Sequence, residues 1–362
     1  MSKKKLAVIC NYVLRADRIG GMDRFFVAFD AAAKQINYEV DWFFPDVETF
    51  DFYKELNIFS AENKFSVETL FLNHLSTSKA IYEGLITHFI ALSTPFYKEA
   101  KKLGSIKQVI AVDHNPRPLN GFPFKKQLKN RFKSLLYSSA IDRFIGVSSY
   151  TAKHIVNDLG RTVALKTGVI YNGIDTAVFK KRPTQIASKT KFKFIVVSHL
   201  RESKGIQDLI DAVSYLPETI KARIEISVYG EGPLEEGLKQ QARDLQVSEI
   251  IEFKGSSSDI PNILADYDYL IQPTYMECFS LSILESLSAN VPVITTTVGG
   301  NPEIISDGIN GFLFQPKDKM RLSSILKDVV NGELEITKDT SVLIESEYSL
   351  SRMVAEHINL LN

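Results

Sequence analysis

The sequence predicts an α/β protein of two domains, each built on a largely parallel sheet. At 362 residues the chain exceeds the usual size of a single hydrophobic core. Short apolar runs rich in β-formers alternate with helical patterns, and the alternation restarts after a polar connector. Such alternation is typical of βαβ units. Two of these series in one chain indicate two similar domains.

The first half contains six candidate strands. The first is expected over residues 5–11 as a buried strand and not as part of a signal peptide, because Asn11 breaks its apolar run and no small-residue cleavage site follows. In order, the six runs read LAVIC, YEVDWFF, LITHFIAL, KQVIAVD, RFIGVS and GVIYN.

The second half contains five more candidate strands. The connector KKRPTQIASKTK follows Phe179 and has the polar, proline-containing composition of an exposed linker, so a domain boundary is expected near it. After the connector the runs read FKFIVVSH, RIEISVYG, IIEFKG, YDYLIQP and VPVITTT. Ligands of open α/β sheets bind beyond the carboxyl ends of the strands, and functional residues are therefore expected in the loops that follow them.

Composition narrows the class of protein. Lysine plus arginine and aspartate plus glutamate both total 43, so the net charge gives no reason to expect a nucleic-acid partner. The two cysteines, Cys10 and Cys278, cannot form a disulfide framework or a multi-cysteine zinc cluster, which fits a cytoplasmic protein. No uncharged apolar stretch approaches the roughly 20 residues of a membrane span, so any membrane contact is expected to be peripheral.

The segment YMECFSLSILESLSANVPVITTTVGGNPEII carries the most specific motif. Glu277 and Glu285 stand eight residues apart in it, and the pattern resembles the E-x7-E motif of the family 4 glycosyltransferases. The likeness covers most of residues 140–316. It continues in order through GVSSYTAKHI, VIYNGIDTAVF, HLRESKGIQDLIDAV, VYGEGPLEEGL and DGINGFLFQPKD.

The resemblance implies a GT-B fold, in which two Rossmann-like domains face each other across a cleft. Residues 179–345 would bind the nucleotide-sugar donor. Residues 1–178 would bind the acceptor together with 346–362, which include a terminal helix that crosses back to the first domain. The family also implies metal-independent transfer with retention of anomeric configuration, without a cofactor. A nucleotide diphosphate sugar, with a UDP-sugar favoured, would be the donor, and a saccharide or lipid-linked molecule in surface polysaccharide or glycolipid assembly the acceptor.

The donor diphosphate requires cations, and the resemblance assigns Lys204 to it. An ammonium beside free backbone N–H groups at a helix start can stabilise phosphate oxygens as charge develops. The alternative is a solvated lysine in the first helical turn, a position that the helix dipole disfavours unless an anion is present. The family usually has an arginine where this chain has His199. Either His199 or Arg201 is expected to be the second cation.

Two glutamates are expected to contact the rest of the donor. The resemblance assigns the ribose diol to Glu285 and the transferred sugar to Glu277. The amides of Phe279, Ser280 and Leu281 would meet diphosphate or sugar oxygens. A competing interpretation makes Ser282 and Glu285 a capping box that closes the start of a helix.

In the first half, His114 follows the strand KQVIAVD, where the family places a histidine beside the sugar. It could accept a hydrogen bond, support the acceptor or move a proton, although a lone histidine is often structural. Gly20 and Gly21 would allow an anion or a sugar to approach backbone N–H groups at the first helix.

Two other motifs are interpreted as non-functional. Asp266-Tyr267-Asp268 has the D-x-D spelling of metal-dependent glycosyltransferases, but it directly precedes an apolar strand, so a structural role is expected and no metal site is assigned. The segment GEGPLEEG departs from G-x-G-x-x-G at the phosphate-binding turn, which disfavours an NAD site.

Residues 122–139 form a basic amphipathic segment, FPFKKQLKNRFKSLLYSS. It predicts a helix that could lie on an anionic membrane leaflet and recruit a lipid-linked acceptor. It could equally be an ordinary helix with a solvated basic face. The pattern leaves both interpretations open.

Two alternatives to a transferase are retained. A GT-B nucleotide-sugar epimerase would use the same donor site without an acceptor, and the E-x7-E pattern weighs against it. A non-catalytic nucleotide-sugar binding module is conceivable because His199, Cys278 and Ser280 depart from the family's usual residues. The presence of Lys204, Glu277 and Glu285 disfavours it.

Overall fold

The computed structural model describes residues 3–16, 19–48, 50–183 and 189–361. The chain divides into two compact units. Unit 1 comprises Met1–Asn172 and Leu350–Asn362, and unit 2 comprises Gly173–Ser349. Residues 184–188 of the predicted connector lie outside the described residues.

The division between the units differs from the predicted one by a few residues. It falls at 172/173 and 349/350, whereas the sequence suggested 178/179 and 345/346. The Ile174 N–H donates to the Tyr348 carbonyl over 3.0 Å, and Ile174 also forms a parallel bridge with Ser349. The start of the connector belongs to unit 2 as well, because the Arg182 N–H donates to the Ala289 carbonyl over 2.8 Å.

Unit 1 is a Rossmann-like layer of parallel strands with helices between them. Its strands are β1 Lys4–Cys10, β2 Tyr38–Phe44, β3 Asn57–Ser60, β4 Ile81–His88, β5 Ser105–Asp113, β6 Arg143–Gly146 and β7 Thr167–Val169. Its helices before the second unit are α1 Gly21–Gln35, α2 Val67–Ser78, α3 Phe96–Leu103, α4 Phe124–Tyr137 and α5 Ser149–Leu159.

Within the described residues of unit 1, the strand order is β3-β2-β1-β4-β5-β6-β7 and the pairs are parallel. The central strands are nearly continuous apolar runs because helices cover both faces of the sheet. The order reverses between β1 and β4. This reversal is the topological switch point, where α/β sheets bind ligands.

Unit 2 repeats the architecture. Its strands are β8 Phe192–Val197, β9 Ile224–Tyr229, β10 Ile251–Gly255, β11 Tyr269–Gln272, β12 Val293–Thr296 and β13 Gly311–Phe314. Its helices are α6 Ile206–Ser214, α7 Glu218–Lys221, α8 Glu235–Asp244, α9 Ile260–Ile263, α10 Leu281–Ser288, α11 Asn301–Ile304, α12 Lys319–Asn331 and α13 Ser341–Glu347. Over the described residues, the parallel order is β10-β9-β8-β11-β12-β13, with the switch point between β8 and β11.

The terminal helix α14, Leu350–Asn359, belongs to unit 1 as the resemblance implied. It packs against α1, where His357 lies 4.8 Å from Phe25 between ring centroids. The Tyr38 hydroxyl donates to the Leu361 carbonyl over 3.3 Å, which ties the end of the chain to β2.

Three strands differ from the sequence prediction. The run LITHFIAL was expected to be extended throughout, but β4 ends at His88 because Phe89 adopts a left-handed conformation with φ of +59°. The edge strand β3 was not predicted, since it is only four residues long and only partly buried. Strand β13 lies inside the DGINGFLFQPKD motif and was not recognised as a strand.

Candidate functional site

Lys204 and Glu277 meet at the switch point of unit 2. Lys204 ends the 3₁₀ turn Glu202–Lys204 between β8 and α6, and Glu277 lies in the loop between β11 and α10. The Lys204 Nζ is 2.8 Å from the Glu277 Oε2, and the two side chains are only 14% and 13% exposed. Such burial contradicts the alternative of a solvated lysine, because a solvated ammonium would point into water. The pair places a cation and a carboxylate where α/β sheets bind ligands.

Backbone contacts between the two loops hold this pair together. The carbonyl of Ser203 accepts from the Tyr275 N–H over 2.8 Å and from the Thr274 hydroxyl over 3.0 Å. Gly205 has a φ of +71°, and a Cβ there would come within 1.9 Å of the Pro273 carbonyl oxygen. A glycine is therefore required for the Lys204 turn to approach the Glu277 loop.

Tyr275 anchors the Glu277 loop to α6. Its hydroxyl donates to the Asp208 Oδ2 over 2.5 Å and accepts from the Gln207 Nε2 over 3.0 Å. Burial raises the pKa of Tyr275, and the hydrogen bond to Asp208 raises it further. The tyrosine stays protonated and so keeps its bond to the Asp208 carboxylate.

Helix α10 begins directly after the pair. Ser280 is its N-cap, and the Ser280 hydroxyl accepts from the Ile283 N–H over 3.4 Å. The first N–H groups of a helix have no acceptor within the helix. Leu281, one of the three residues whose amides were predicted to bind the donor, is the first residue of α10. Phe279 and Ser280 themselves are buried.

The capping-box interpretation of Ser282 and Glu285 is wrong. Because Ser280 is the N-cap, Glu285 lies beyond the first turn and does not close the helix start. The Ser282 hydroxyl instead accepts from the Gln272 Nε2 over 2.9 Å and lies 3.1 Å from the Ser280 hydroxyl. Glu285 is half-buried on the same helix, α10.

A buried polar cluster supports the start of α10, and sequence reasoning missed it. The Gln272 Nε2 donates to the Ser280 hydroxyl over 2.6 Å, and the Gln272 carbonyl accepts from the Thr295 hydroxyl over 2.8 Å. The Asn301 Nδ2 donates to the Thr295 hydroxyl over 3.0 Å. The signal was present as polar residues inside or just after otherwise apolar strands.

His199 and Arg201 lie in the loop after β8, beside Lys204 along the chain. Both are exposed, and among the described residues neither side chain makes a hydrogen bond or an ion pair. Close glycines shape this loop. A Cβ on Gly230 would come within 2.0 Å of the Ser198 carbonyl oxygen, and one on Gly232 within 2.3 Å of the Leu200 carbonyl oxygen. The GEG segment thus packs on the loop of the two candidate cations.

In unit 1, His114 follows β5 and is only 6% exposed. Its Nε2 lies 2.9 Å from the Nδ1 of His88, and the Phe89 ring stacks on it at 4.2 Å between centroids. Burial lowers the pKa of His114 to about 3, with a further contribution from nearby His357. The imidazole is therefore neutral near pH 7.

A buried arginine fixes the loop that carries His114. Arg117 donates to Asp113 and to Asp158, each over 2.8 Å. Burial by itself would lower the pKa of Arg117, but the attraction of the two carboxylates has the larger effect, so the pKa is raised. Asp158 lies 41 residues away on α5, and no local pattern in the sequence connects it with Arg117.

Gly20 and Gly21 begin α1, after β1, but one of their amides is occupied. The Gly20 N–H donates to the Asp23 Oδ2 over 2.8 Å. Asp23 is fully buried and also accepts from the hydroxyls of Tyr12 and Tyr53. The Asp23 carboxylate therefore occupies the Gly20 N–H that was predicted to meet an anion or a sugar. The prediction for Gly20 is corrected accordingly.

The D-x-D segment has a structural environment. Asp268 is buried; its Oδ1 lies 2.6 Å from the Lys189 Nζ, and its Oδ2 accepts from the Lys193 N–H over 2.9 Å. The Arg182 Nη1 lies 3.7 Å from its carboxylate. Over the ranges that the structure describes, no group of three or more His, Cys, Asp or Glu side chains is arranged to hold a metal ion.

Helix α4 covers most of the predicted basic segment. Of its 14 residues only Ser134 is buried. Apolar residues of this helix are exposed, with Phe124 at 77%, Phe132 at 63% and Leu135 at 73%. Among the described residues, no helix has the length and apolar character needed to cross a membrane.

Comparison with known proteins gives a family match in the second half of the chain. Residues 178–346 match the family model described as glycosyl transferases group 1. A 155-residue stretch is 30% identical to N-acetyl-alpha-D-glucosaminyl L-malate synthase of Bacillus anthracis, covering 41% of this chain and 40% of the relative. A 200-residue stretch is 26% identical to UDP-Gal:alpha-D-GlcNAc-diphosphoundecaprenol alpha-1,3-galactosyltransferase of Escherichia coli, covering 52% and 50%. The chain spans about half the length of the curated relatives it matches.

Solved structures resemble the chain over almost its whole length. Anabaena Alr3699/HepE in complex with UDP has a TM-score of 0.76 at 18% identity, with 99% of both chains covered. A glycosyltransferase from Rickettsia africae ESF-5 has a TM-score of 0.75 at 18% identity, covering 100% of this chain and 98% of that one. At this identity the likeness concerns the fold. The predicted resemblance is confirmed: residues 178–346 match the model of the group 1 glycosyl transferases, and the fold of the chain is the two-domain α/β fold GT-B.

Proposed function

We propose that this protein transfers a sugar from a nucleotide diphosphate donor to a saccharide or lipid-linked acceptor. The observation that carries the proposal is the Lys204–Glu277 ion pair of 2.8 Å, which lies at a switch point and directly before a capped helix start. A protein with only a structural use for these residues would have no need to bury both charges there, since a buried ion pair adds little to stability.

Each part of the donor has a partner of suitable chemistry. The Lys204 ammonium and the first amides of α10 would stabilise the diphosphate as it departs. Glu277 would accept from hydroxyls of the transferred sugar, and Glu285 from the ribose diol. Exposed His199 or Arg201 would supply the second cation.

The names of the relatives support the substrate class. The Escherichia coli relative is named for transfer of galactose from UDP-Gal to a diphosphoundecaprenol-linked sugar, and another relative is a putative colanic acid biosynthesis glycosyltransferase. One structure of HepE is a complex with UDP-glucose. We therefore favour a UDP-sugar as donor and surface polysaccharide or glycolipid assembly as the pathway.

We further propose that the reaction proceeds with retention and without a metal ion. Burial keeps His114 neutral, so it would act by hydrogen bonding and not as a permanent cation. Lys204 and the start of α10 would offset the charge of the leaving diphosphate, a task that other glycosyltransferases give to a divalent ion.

Peripheral membrane contact through residues 122–139 is part of the proposal. Helix α4 exposes Phe124, Leu128, Phe132 and Leu135, which repeat at helical spacing, and basic residues lie between them. The apolar side chains could insert among the lipid chains of an anionic leaflet, while the flanking lysines contact its headgroups. The protein would then work on the inner, cytoplasmic face of the membrane.

Vesicle binding tests the membrane contact. We expect co-sedimentation with phosphatidylglycerol vesicles, weaker binding to phosphatidylcholine vesicles, and a decrease with added salt. Phe132→Asp should reduce binding, whereas Met320→Asp, at a residue 66% exposed on α12, should not. Equal binding by both variants would contradict a role for α4.

A nucleotide-sugar screen tests the transferase. A UDP-sugar at about 100 times its dissociation constant should raise the apparent stability by roughly 2.7 kcal/mol. The stabilising donor is then incubated with candidate acceptors. A new glycoside supports the proposal, interconversion of the donor without an acceptor indicates an epimerase, and stabilisation without any turnover indicates a binding module.

A further inference from the structure

His88 and His114 form a buried pair at the carboxyl ends of two neighbouring strands of unit 1. His88 is the last residue of β4, and His114 follows β5 directly. The His88 Nδ1 lies 2.9 Å from the His114 Nε2, and the two side chains are only 1% and 6% exposed. Sequence reasoning singled out His114 but gave no role to His88.

Neighbouring rings enclose the pair and restrict its movement. Phe89 stacks on His114 with an interplanar angle of 21°. Phe25 of α1 meets His88 edge-on at 5.7 Å, and His357 of α14 lies 5.9 Å from His88 between ring centroids. The two imidazoles are therefore held at a defined distance and angle.

A hydrogen bond between two neutral imidazoles couples the proton positions on the two rings, because one nitrogen must donate and the other must accept. Burial lowers the pKa of His88 well below 6.5 and that of His114 to about 3, so neither ring carries a second proton near pH 7. If the His88 Nδ1–H donates, His114 accepts at Nε2 and carries its own proton at Nδ1. If the His114 Nε2–H donates, the Nδ1 of His114 carries no proton.

We propose that His88 is a positioning residue that fixes the ring orientation and the tautomer of His114 through the His88 Nδ1 to His114 Nε2 hydrogen bond. The expected effect of His88 on turnover rests on the proposed function. The hydrogen bond and the fixed tautomer do not depend on that function.

The direct test uses the whole chain labelled with ¹⁵N-histidine. The chain has six histidines, so each ring can be assigned by substitution. In the wild-type protein we expect a ¹⁵N–¹⁵N coupling across the His88–His114 hydrogen bond, and ring ¹⁵N shifts of one tautomer for His114. Absence of the coupling, or averaged shifts, would overturn the proposal without any variant having to fold.

Substitution of His88 tests the consequence for catalysis. His88→Phe should average the His114 tautomers and lower kcat by about 10- to 100-fold, by analogy with metal-bound histidines that lose the group orienting their ring. The donor KM should change little, since the donor contacts lie in unit 2. His88→Asn should restore part of kcat, because its amide lies close to the position of Nδ1.

The matched control is His74→Phe in the same unit. His74 lies in another cluster, where its Nε2 is 3.0 Å from the Tyr82 hydroxyl, and its loss should leave kcat and the His114 shifts unchanged. An equal fall in kcat for His74→Phe and His88→Phe would overturn the positioning role. If the wild-type protein turned over no nucleotide sugar, the proposed function would fail, while the ¹⁵N coupling would still decide the hydrogen bond.

Discussion

Gly299 packs so closely on Glu277 that a Cβ at Gly299 would come within 2.0 Å of the Glu277 carbonyl oxygen. Gly299 follows β12 and has a φ of +64°, a conformation that side-chain-bearing residues rarely adopt. The next amide, that of Gly300, donates to the Cys278 carbonyl over 3.0 Å. The loop after β12 therefore sets the backbone position of the carboxylate that pairs with Lys204.

Gly299→Ala should displace the Glu277 loop and weaken the donor site. The left-handed conformation alone costs about 1–2 kcal/mol for alanine, and the clash with a carbonyl oxygen adds to it. Gly308→Ala is the control, because Gly308 has a φ of +73° but open space around its Cα. We expect both variants to lose stability in thermal unfolding and only Gly299→Ala to lose donor affinity. Equal donor affinities in the two variants would contradict the positioning role of Gly299.

Lys204→Ala should lower kcat by about a hundredfold or more, as expected for a cation directed at developing phosphate charge. The variant also leaves the half-buried Glu277 carboxylate without its ion pair. Lys239→Ala is the control, since Lys239 pairs with Glu235 and Glu236 on the surface of α8. Steady-state kinetics with saturating donor would check this. Full activity of Lys204→Ala would remove Lys204 from the mechanism.

Glu285→Gln should mainly weaken donor binding. A carboxylate that accepts from the ribose diol binds the ground state and the transition state alike, so the donor KM should rise with kcat nearly unchanged. We expect a rise of about tenfold, corresponding to the loss of about 1.4 kcal/mol. Glu236→Gln, at a side chain 85% exposed on α8, serves as the control. A fall in kcat at constant donor KM would exclude the ribose role.

The sequence was sufficient for most of the fold and for the donor loops. The strands are buried apolar runs that can be recognised from consecutive residues. The E-x7-E segment likewise lies within one loop and one helix. The supports of the site depend instead on contacts between distant parts of the chain. Arg117 meets Asp158 across 41 residues, and His88 meets His114 across 26. Nothing in the neighbourhood of either partner indicates such a contact. The first arises only when α5 packs beside the loop after β5, and the second only when β4 and β5 pair and bring their ends together.

The exposed face of α4 could not be predicted for a different reason. An amphipathic pattern predicts an apolar stripe, but it does not reveal whether the stripe packs inward. In the structure Phe124, Phe132 and Leu135 remain exposed. The pattern therefore predicts the helix correctly, but only the tertiary structure reveals that its apolar residues are exposed.

Acidification should destabilise unit 1 through its three buried histidines. Burial lowers the pKa of His88, that of His114 to about 3 and that of His357 to about 4, from an ordinary 6.5. Above pH 6.5 these rings are neutral in both the folded and the unfolded chain. Below it the unfolded chain binds protons that the folded chain does not, so the free energy of unfolding falls by up to about 1.4 kcal/mol per pH unit for each histidine.

Urea unfolding between pH 7.5 and pH 5 measures this effect. His357→Phe should show a shallower pH dependence than the wild-type protein, since one titrating ring is removed while an aromatic ring still packs near Phe25. His199→Phe, at an exposed histidine, should keep the wild-type slope. Identical slopes in all three proteins would assign the acid sensitivity to other groups.

The stereochemical outcome and the metal requirement can be predicted from the chemistry of the candidate catalytic groups. Inversion needs a general base opposite the leaving group, and double displacement needs a carboxylate nucleophile at the anomeric carbon. Glu277 is paired with Lys204 at 2.8 Å and is assigned to sugar hydroxyls, and His114 is a neutral ring held by His88. The departing phosphate oxygen then remains as the base for the acceptor hydroxyl. Attack from the leaving-group face retains the anomeric configuration.

We therefore expect an α-linked product from an α-linked donor, with activity that survives excess EDTA. Lys204, a second cation and the start of α10 would supply the charge stabilisation that a divalent ion provides elsewhere. NMR coupling constants of the anomeric proton identify the linkage, and assays with EDTA followed by Mg²⁺ or Mn²⁺ measure the metal requirement. A β-linked product would mean that a protein group acts as base on the opposite face. Loss of activity in EDTA that Mn²⁺ restores would mean that Lys204 alone does not stabilise the leaving diphosphate.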